Sequence, residues 1–165
     1  MPRSLLCFCI LGLSLLLGGC YSFTATSLPP HIKTIVIPDV ENLTTDPNLA
    51  QKLRDGVIEM FRRNASGVRI VNEDGDATFQ ITLSGYSNTP ENFSSNANVE
   101  TYKATLTVNV LFQDNVKNVP IYEGRGLRAD GIYDVSKNEG EERQGQTRAI
   151  EKLQELIISN ALAKW

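Results

Sequence analysis

The sequence predicts an α+β domain built as a two-layer sandwich, with two helices packed on one face of a mostly antiparallel four-stranded sheet. Three observations carry that expectation. Tyr102, Ala104, Leu106, Val108, Val110 and Phe112 alternate with Lys103, Thr105, Thr107 and Asn109, which gives one strand a dry side and a wet side. Leu49, Leu53, Val57, Met60 and Phe61 recur at helical spacing, and so do Ile150, Leu153, Ile157, Ala161 and Leu162. The elements follow in the order strand, helix, strands, helix. Both helices therefore need an apolar partner, and the central strands offer a single apolar face to supply it.

Taken in order, Ile32 to Pro38 is dominated by β-branched residues and ends in proline, as a strand leading into a loop at Asp39 to Asp46 would. Asp46-Pro47 supplies an N-cap and a proline at the first helical position, so a helix runs from there to about Asn64. Val68 to Val71 is a short extended piece, and Asn72 to Asp76 is an acidic turn. Thr78 to Tyr86 reads as a strand because Phe79, Ile81 and Leu83 alternate with Gln80, Thr82 and Ser84. Ser87 to Asn98 is rich in Asn and Ser and reads as a polar contact loop. The clear strand at Tyr102 to Phe112 follows, then a weaker one at Ile121 to Ala129, diluted by Gly124 and Gly126. Asp134 to Gly140 is a polar connection, and a second helix runs from Glu141 nearly to Trp165.

The N-terminus has a different character. Arg3 precedes an apolar stretch from Leu5 to Leu17 that is too brief to span about 30 Å of hydrocarbon, and Leu17-Gly18-Gly19-Cys20 closes it. This is the pattern of a bacterial lipoprotein signal, with Cys20 as the lipidated first residue of the mature chain. Residues 1–19 would be the signal peptide, 20–30 a lipidated tether rich in Ser, Thr and Pro, and 31–165 the folded domain. Several acyl chains at about 0.8 kcal/mol per buried CH₂ anchor a protein stably without a spanning helix. Cys7 and Cys9 leave with the signal, so no thiol remains for a disulfide and packing must supply the stability. Tyr21 after the cysteine points to the periplasmic side of the outer membrane.

The chemistry inventory excludes more than it offers. The formal net charge of −3 argues against a protein that coats nucleic acid. His31 is the sole histidine and no serine has a nucleophile context, so a Ser-His-Asp hydrolase is unsupported and His31 is expected to be structural or solvated. No catalytic residue, metal site or cofactor is assigned. Glu73-Asp74-Gly75-Asp76 lacks the calcium-loop pattern. Glu100, Glu123, Asp130 and Asp134 could be paired for glycoside hydrolysis, yet nothing separates them from ordinary surface charges. The sequon matches at Asn42, Asn64 and Asn92 carry no weight in a bacterial lipoprotein. A binding or scaffolding module remains.

The lipobox with Cys20-Tyr21-Ser22-Phe23, then Leu28 to Pro38, then Glu100-Thr101-Tyr102-Lys103 leading into Leu106 to Asn109, resembles the LptE family of lipopolysaccharide-assembly lipoproteins. That resemblance implies a non-enzymatic partner of the outer-membrane β-barrel translocon LptD, seated largely inside its lumen, assisting its assembly and binding lipopolysaccharide at the sheet-loop end. Lys137 falls where the family commonly presents a basic residue, whereas its other basic position meets Ser94-Ser95 here. Arg125, Arg128 and Lys103 are then the candidates to meet lipopolysaccharide phosphates, because charge-assisted contacts are the strong ones. A second, shorter resemblance covers only Ile35 to Pro38 and Glu41 to Thr44. It points to CsgG-like or TolB-like envelope domains, and hence to an accessory lipoprotein of another secretion or transport complex.

Overall fold

The computed structural model describes residues 28–65, 67–135 and 141–162. Its elements are β1 (Thr34–Val36), β2 (Glu41–Asn42), α1 (Pro47–Asn64), β3 (Arg69–Val71), β4 (Ala77–Phe93), β5 (Val99–Asp114), β6 (Val119–Asp134) and α2 (Glu142–Leu162). The α+β class is as expected, but the sheet is larger and of mixed sense. Among the described residues it has six strands, ordered β3-β1-β4-β5-β6 with β2 beside β4. Only the long β4–β5 and β5–β6 ladders are antiparallel, while β1 runs parallel to β3 and β4, and β2 parallel to β4. The correction has a simple cause. Strands β1 and β3 are joined through α1, and neighbours joined by a helical crossover run parallel. Strand β2 is two residues inside the expected Asp39 to Asp46 loop, too short to leave a period.

The second correction concerns strand length. After a register shift at Gly85, β4 continues with Ser87, Asn88 and Thr89 opposite Thr105, Ala104 and Lys103. Much of the expected Ser87 to Asn98 loop is thus ladder, and the turn is confined to 94–98, closed by the Ser94 N–H on the Asn98 carbonyl at 2.8 Å. Most side chains in this half of β4 are exposed or half-exposed, so no apolar alternation marks it. Strand β6 likewise runs past both ends of the expected Ile121 to Ala129. It carries a bulge near Gly126, whose φ of 61° suits a residue without a Cβ.

Helix α1 starts where expected: Asp46 is the N-cap, its carboxylate accepts from the Asn48 N–H at 3.0 Å, and Pro47 sits at the first helical position. Its buried stripe, Leu49, Leu53, Val57 and Phe61, meets Phe79, Leu83, Leu106 and Phe112 of the sheet and Leu153 and Ile157 of α2 in one cluster. The rings of Phe61, Phe79 and Phe112 pack edge to face, with centroids 4.9, 5.9 and 5.2 Å apart. Both helices thus lie on the dry face.

Helix α2 approaches β6 backbone to backbone. A Cβ on Gly131 would meet the Gly145 carbonyl oxygen and come within 2.7 Å of the Ala149 nitrogen. From the same helix, Arg148 donates to the Ile132 carbonyl and Lys152 to the Asp130 carbonyl at 2.9 Å, so two basic side chains cover carbonyls of the edge strand.

The chain enters the sheet under tight control. Leu28 already belongs to the core, and the His31 ring Nε2 lies 2.6 Å from Asp114 Oδ2, an acid that is 2% exposed. His31 is therefore structural, one of the two alternatives open from the sequence. Asp114 Oδ1 accepts from the Val116 and Lys117 N–H groups at 3.0 and 2.9 Å. Burial pushes the Asp114 carboxyl up, but the Lys117 and Val116 N–H groups and His31 outweigh it and hold the value below the ordinary carboxylate range. Asp76 is held low mainly by the Lys33 N–H, then by the Thr34 hydroxyl and N–H.

Candidate functional site

With both helices on the dry face, the other face of the sheet is left to solvent. Register places Thr78, Gln80 and Thr82 of β4 opposite Gln113, Leu111 and Asn109 of β5, and Thr105 and Thr107 of β5 opposite Asp130 and Arg128 of β6. The result is a surface rich in hydroxyls and amides, built by the alternation that makes the other side dry. Its polar groups are partly paired with one another. Thr82 Oγ1 donates to Glu41 at 2.9 Å, Thr105 Oγ1 to Asp130 at 2.6 Å, and Asn109 Oδ1 accepts from the Gly126 N–H at 2.9 Å. A shallow depression of about 400 Å³ opens here, lined by Gln80, Thr82, Asn109, Leu111, Glu123 and Arg125.

The three candidate basic residues within the described region share this face but do not form one cluster. Lys103 sits opposite Ile132, and Arg128 opposite Thr107, four residues along β5, or about 13 Å. Lys103 Nζ is 2.6 Å from Glu91 Oε2, and that hydrogen bond and charge raise its pKa. Arg125 is 2.6 Å from Glu123 Oε1. Arg128 is exposed and has no ion-pair partner among the described residues. Sequence reasoning placed all three on strands but could not see the carboxylates that occupy two of them. Cys20 and Lys137 lie outside the described residues.

At the end of the sheet where α2 begins, a network appears that no sequence signal announced. The Tyr86 hydroxyl donates to the Glu142 carboxylate, and Gln146 Nε2 reaches Asp46 at 3.3 Å and Tyr86 at 3.4 Å. Burial first, and then the bond to Glu142, hold the Tyr86 hydroxyl far above its ordinary value, so it stays a donor. Asn88 donates to the Tyr133 hydroxyl at 2.7 Å, and Tyr133 stacks on Tyr102 with centroids 5.7 Å apart. Asn88 Oδ1 and Thr101 Oγ1 are buried here without a partner. Among the described residues no group of three or more His, Cys, Asp or Glu is arranged to hold a metal ion, and no helix is long and apolar enough to cross a membrane.

Fold and face together define a class: a two-layer α+β scaffold with one sheet face packed by helices and the other left polar. Within that class the chain belongs to the LptE lipopolysaccharide-assembly family, whose profile matches residues 32–161. No curated protein matches it. Among solved structures it is similar to lipoprotein B from Nitrosomonas europaea, at a TM-score of 0.60 and 13% identity over 84% of this chain and 86% of that one. It is also similar to CT253 from Chlamydia trachomatis, at 0.54 and 8% over 80% and 99%, and to a PelC dodecamer from Paraburkholderia phytofirmans, at 0.51 and 13% over 81% and 88%. Identities this low speak for the fold alone.

Proposed function

We propose that this chain, anchored by lipid on Cys20 at the periplasmic face of the outer membrane, plugs an LptD-type β-barrel translocon, supports its assembly and assists lipopolysaccharide transport and insertion. The observation that carries the reading is the polar sheet face. Strand β5 has 16 residues, about 50 Å of ladder. The lumen of a large outer-membrane barrel is polar and its apolar band only about 25 Å tall, so a wet face of this length suits hydrogen-bonded contact along the inner wall. The role is non-enzymatic, in keeping with the family.

For lipopolysaccharide phosphates, the side chains differ in readiness. Lys103 and Arg125 must first give up Glu91 and Glu123, whereas Arg128 has no such competitor among the described residues, so Arg128 is the leading contact there, and Lys137 joins it on the family resemblance alone. The test is to solubilise outer membranes in mild detergent, capture the chain through a C-terminal tag and identify what co-purifies. A stoichiometric large barrel of the LptD type is expected. Homo-oligomers or another envelope complex without that barrel would refute the plug reading and favour the CsgG-like or TolB-like alternative. Arg128→Glu should weaken binding of lipopolysaccharide severalfold while leaving barrel capture intact.

A further inference from the structure

At the end of the sheet where the chain enters, β5 and β6 are joined by the turn 115–118, and the turn and the first residue of β6 carry two of the exposed large apolar residues of the domain. Val116 is 62% exposed and Val119 47%. The turn is rigidly built: Asn115 donates to the Gly75 carbonyl at 2.8 Å and its N–H to the Asp76 carbonyl at 2.8 Å, while Asp114 holds the N–H groups of Val116 and Lys117. The two valines are therefore presented by a fixed turn, not left over on a loose one.

The same Asp114 holds His31, and the Ile32 N–H closes a turn on the Pro29 carbonyl at 2.9 Å, so the incoming chain is tied down beside this turn. Between Cys20 and Leu28 lie residues 21–27, which span at most about 28 Å when fully extended. The opposite tip of the β4–β5 hairpin, at Phe93, is about 50 Å away along the ladder. A lipid on Cys20 thus keeps the 115–118 turn, and not the hairpin tip, close to the bilayer.

We infer that the β5–β6 turn is a membrane-docking surface whose occupant is the lipid interface of the leaflet holding the anchor, with Val116 and Val119 entering it and the His31–Asp114 pair fixing the orientation. The inference rests on lipidation at Cys20. Two valines would bind a vesicle weakly from solution, but a tethered surface meets the bilayer at high effective concentration, and weak insertion then suffices. Charge does not carry the contact. Lys33 and Lys117 are outnumbered by Glu73, Asp74 and Asp76 on the adjoining turn, so charge supplies no net attraction to an anionic bilayer and added salt should not weaken docking.

The experiment uses the mature lipidated chain in vesicles of phosphatidylethanolamine and phosphatidylglycerol, with an environment-sensitive fluorophore on Val116→Cys or, as the far-end control, on Ile132→Cys. Mass spectrometry of the N-terminal peptide reports lipidation separately. Nitroxide lipids labelled near the headgroup should quench the Val116→Cys probe severalfold more than the Ile132→Cys probe, with no loss of that difference at high salt. Adding His31→Ala should remove that difference while circular dichroism stays native. Equal quenching of the two probes in lipidated protein would overturn docking while leaving the anchor standing. A Val116→Cys probe shielded from aqueous iodide yet untouched by nitroxide lipid would mean that a second copy covers the turn, and would overturn the lipid assignment. Absence of lipid on Cys20 would remove the anchoring reading and this inference with it.

Discussion

Replacing Gly131 by alanine tests the closest approach of backbone to backbone at any described glycine. The added Cβ would stand 2.7 Å from the Ala149 nitrogen, where ordinary contact begins at 3.4 Å, and closer still to the Gly145 carbonyl oxygen. Both obstacles are helix backbone, so no side chain can rotate away. Relief requires α2 to lift by more than about 1 Å, which loosens Ala149 and Leu153 in the core and the Arg148 and Lys152 bonds to β6. Overpacking of this kind costs about 1–3 kcal/mol, and with the edge bonds weakened we expect about 2–4 kcal/mol from a domain whose total stability is of order 5–15 kcal/mol. Gly126→Ala is the control: its Cβ meets open space, so the cost is only the backbone term of about 1–2 kcal/mol for a positive φ. Urea unfolding of the chain from residue 20 with Cys20→Ala, followed by circular dichroism, measures both. A Gly131→Ala variant within about 0.5 kcal/mol of the parent, or one less affected than Gly126→Ala, would refute the backbone-to-backbone packing.

Other outcomes follow from the core and from the two acids at the sheet end. Phe61→Ala should lose about 3–5 kcal/mol in the same assay, because it removes the ring common to two of the three edge-to-face contacts, and Phe61→Leu should lose less. Leu106→Asp or Val108→Asp should abolish the cooperative transition, since both positions are 0% exposed and an unpaired charge would enter the dry face; a soluble, cooperatively folding variant would show the face assignment to be wrong. Asp76 and Asp114 have folded-state values below their unfolded value of about 3.9, so the unfolded chain binds more protons in that range. Their stabilisation is present above about pH 4 and is lost as pH falls through the folded values. Melting temperatures between pH 7 and pH 3 should therefore drop most steeply at the acid end, and Asp114→Asn should flatten that drop.

What was legible in the sequence was what is amphipathic in a single register. Asp46-Pro47 and the stripe from Leu49 to Phe61 located α1, and Ala104 to Phe112 located the dry side of β5, because each buries one face against a uniform neighbour. The distal half of β4 was hidden for the opposite reason: Ser87, Asn88 and Thr89 earn their place through backbone pairing, which writes nothing into side-chain polarity. Parallel pairing of β1 with β3 was equally silent, since three residues make no pattern. At the candidate site, residue type and strand were readable for Lys103, Arg125 and Arg128, but their partners were not. Glu91 lies in a segment with no apparent register, and only the ladder brings it to Lys103.

The covering of β6 by Arg148 and Lys152 has a consequence for life on a surface. An edge strand offers its unpaired carbonyls to any neighbour, and proteins confined to a plane collide far more often than the same number free in a volume. Two cations planted on those carbonyls deny the next copy its hydrogen bonds and oppose its approach by charge. At the other edge, three residues of β3 leave too little backbone to recruit a strand. With the lipid tether proposed at Cys20, a chain built this way can be crowded at a membrane and still leave its polar face free for a different partner.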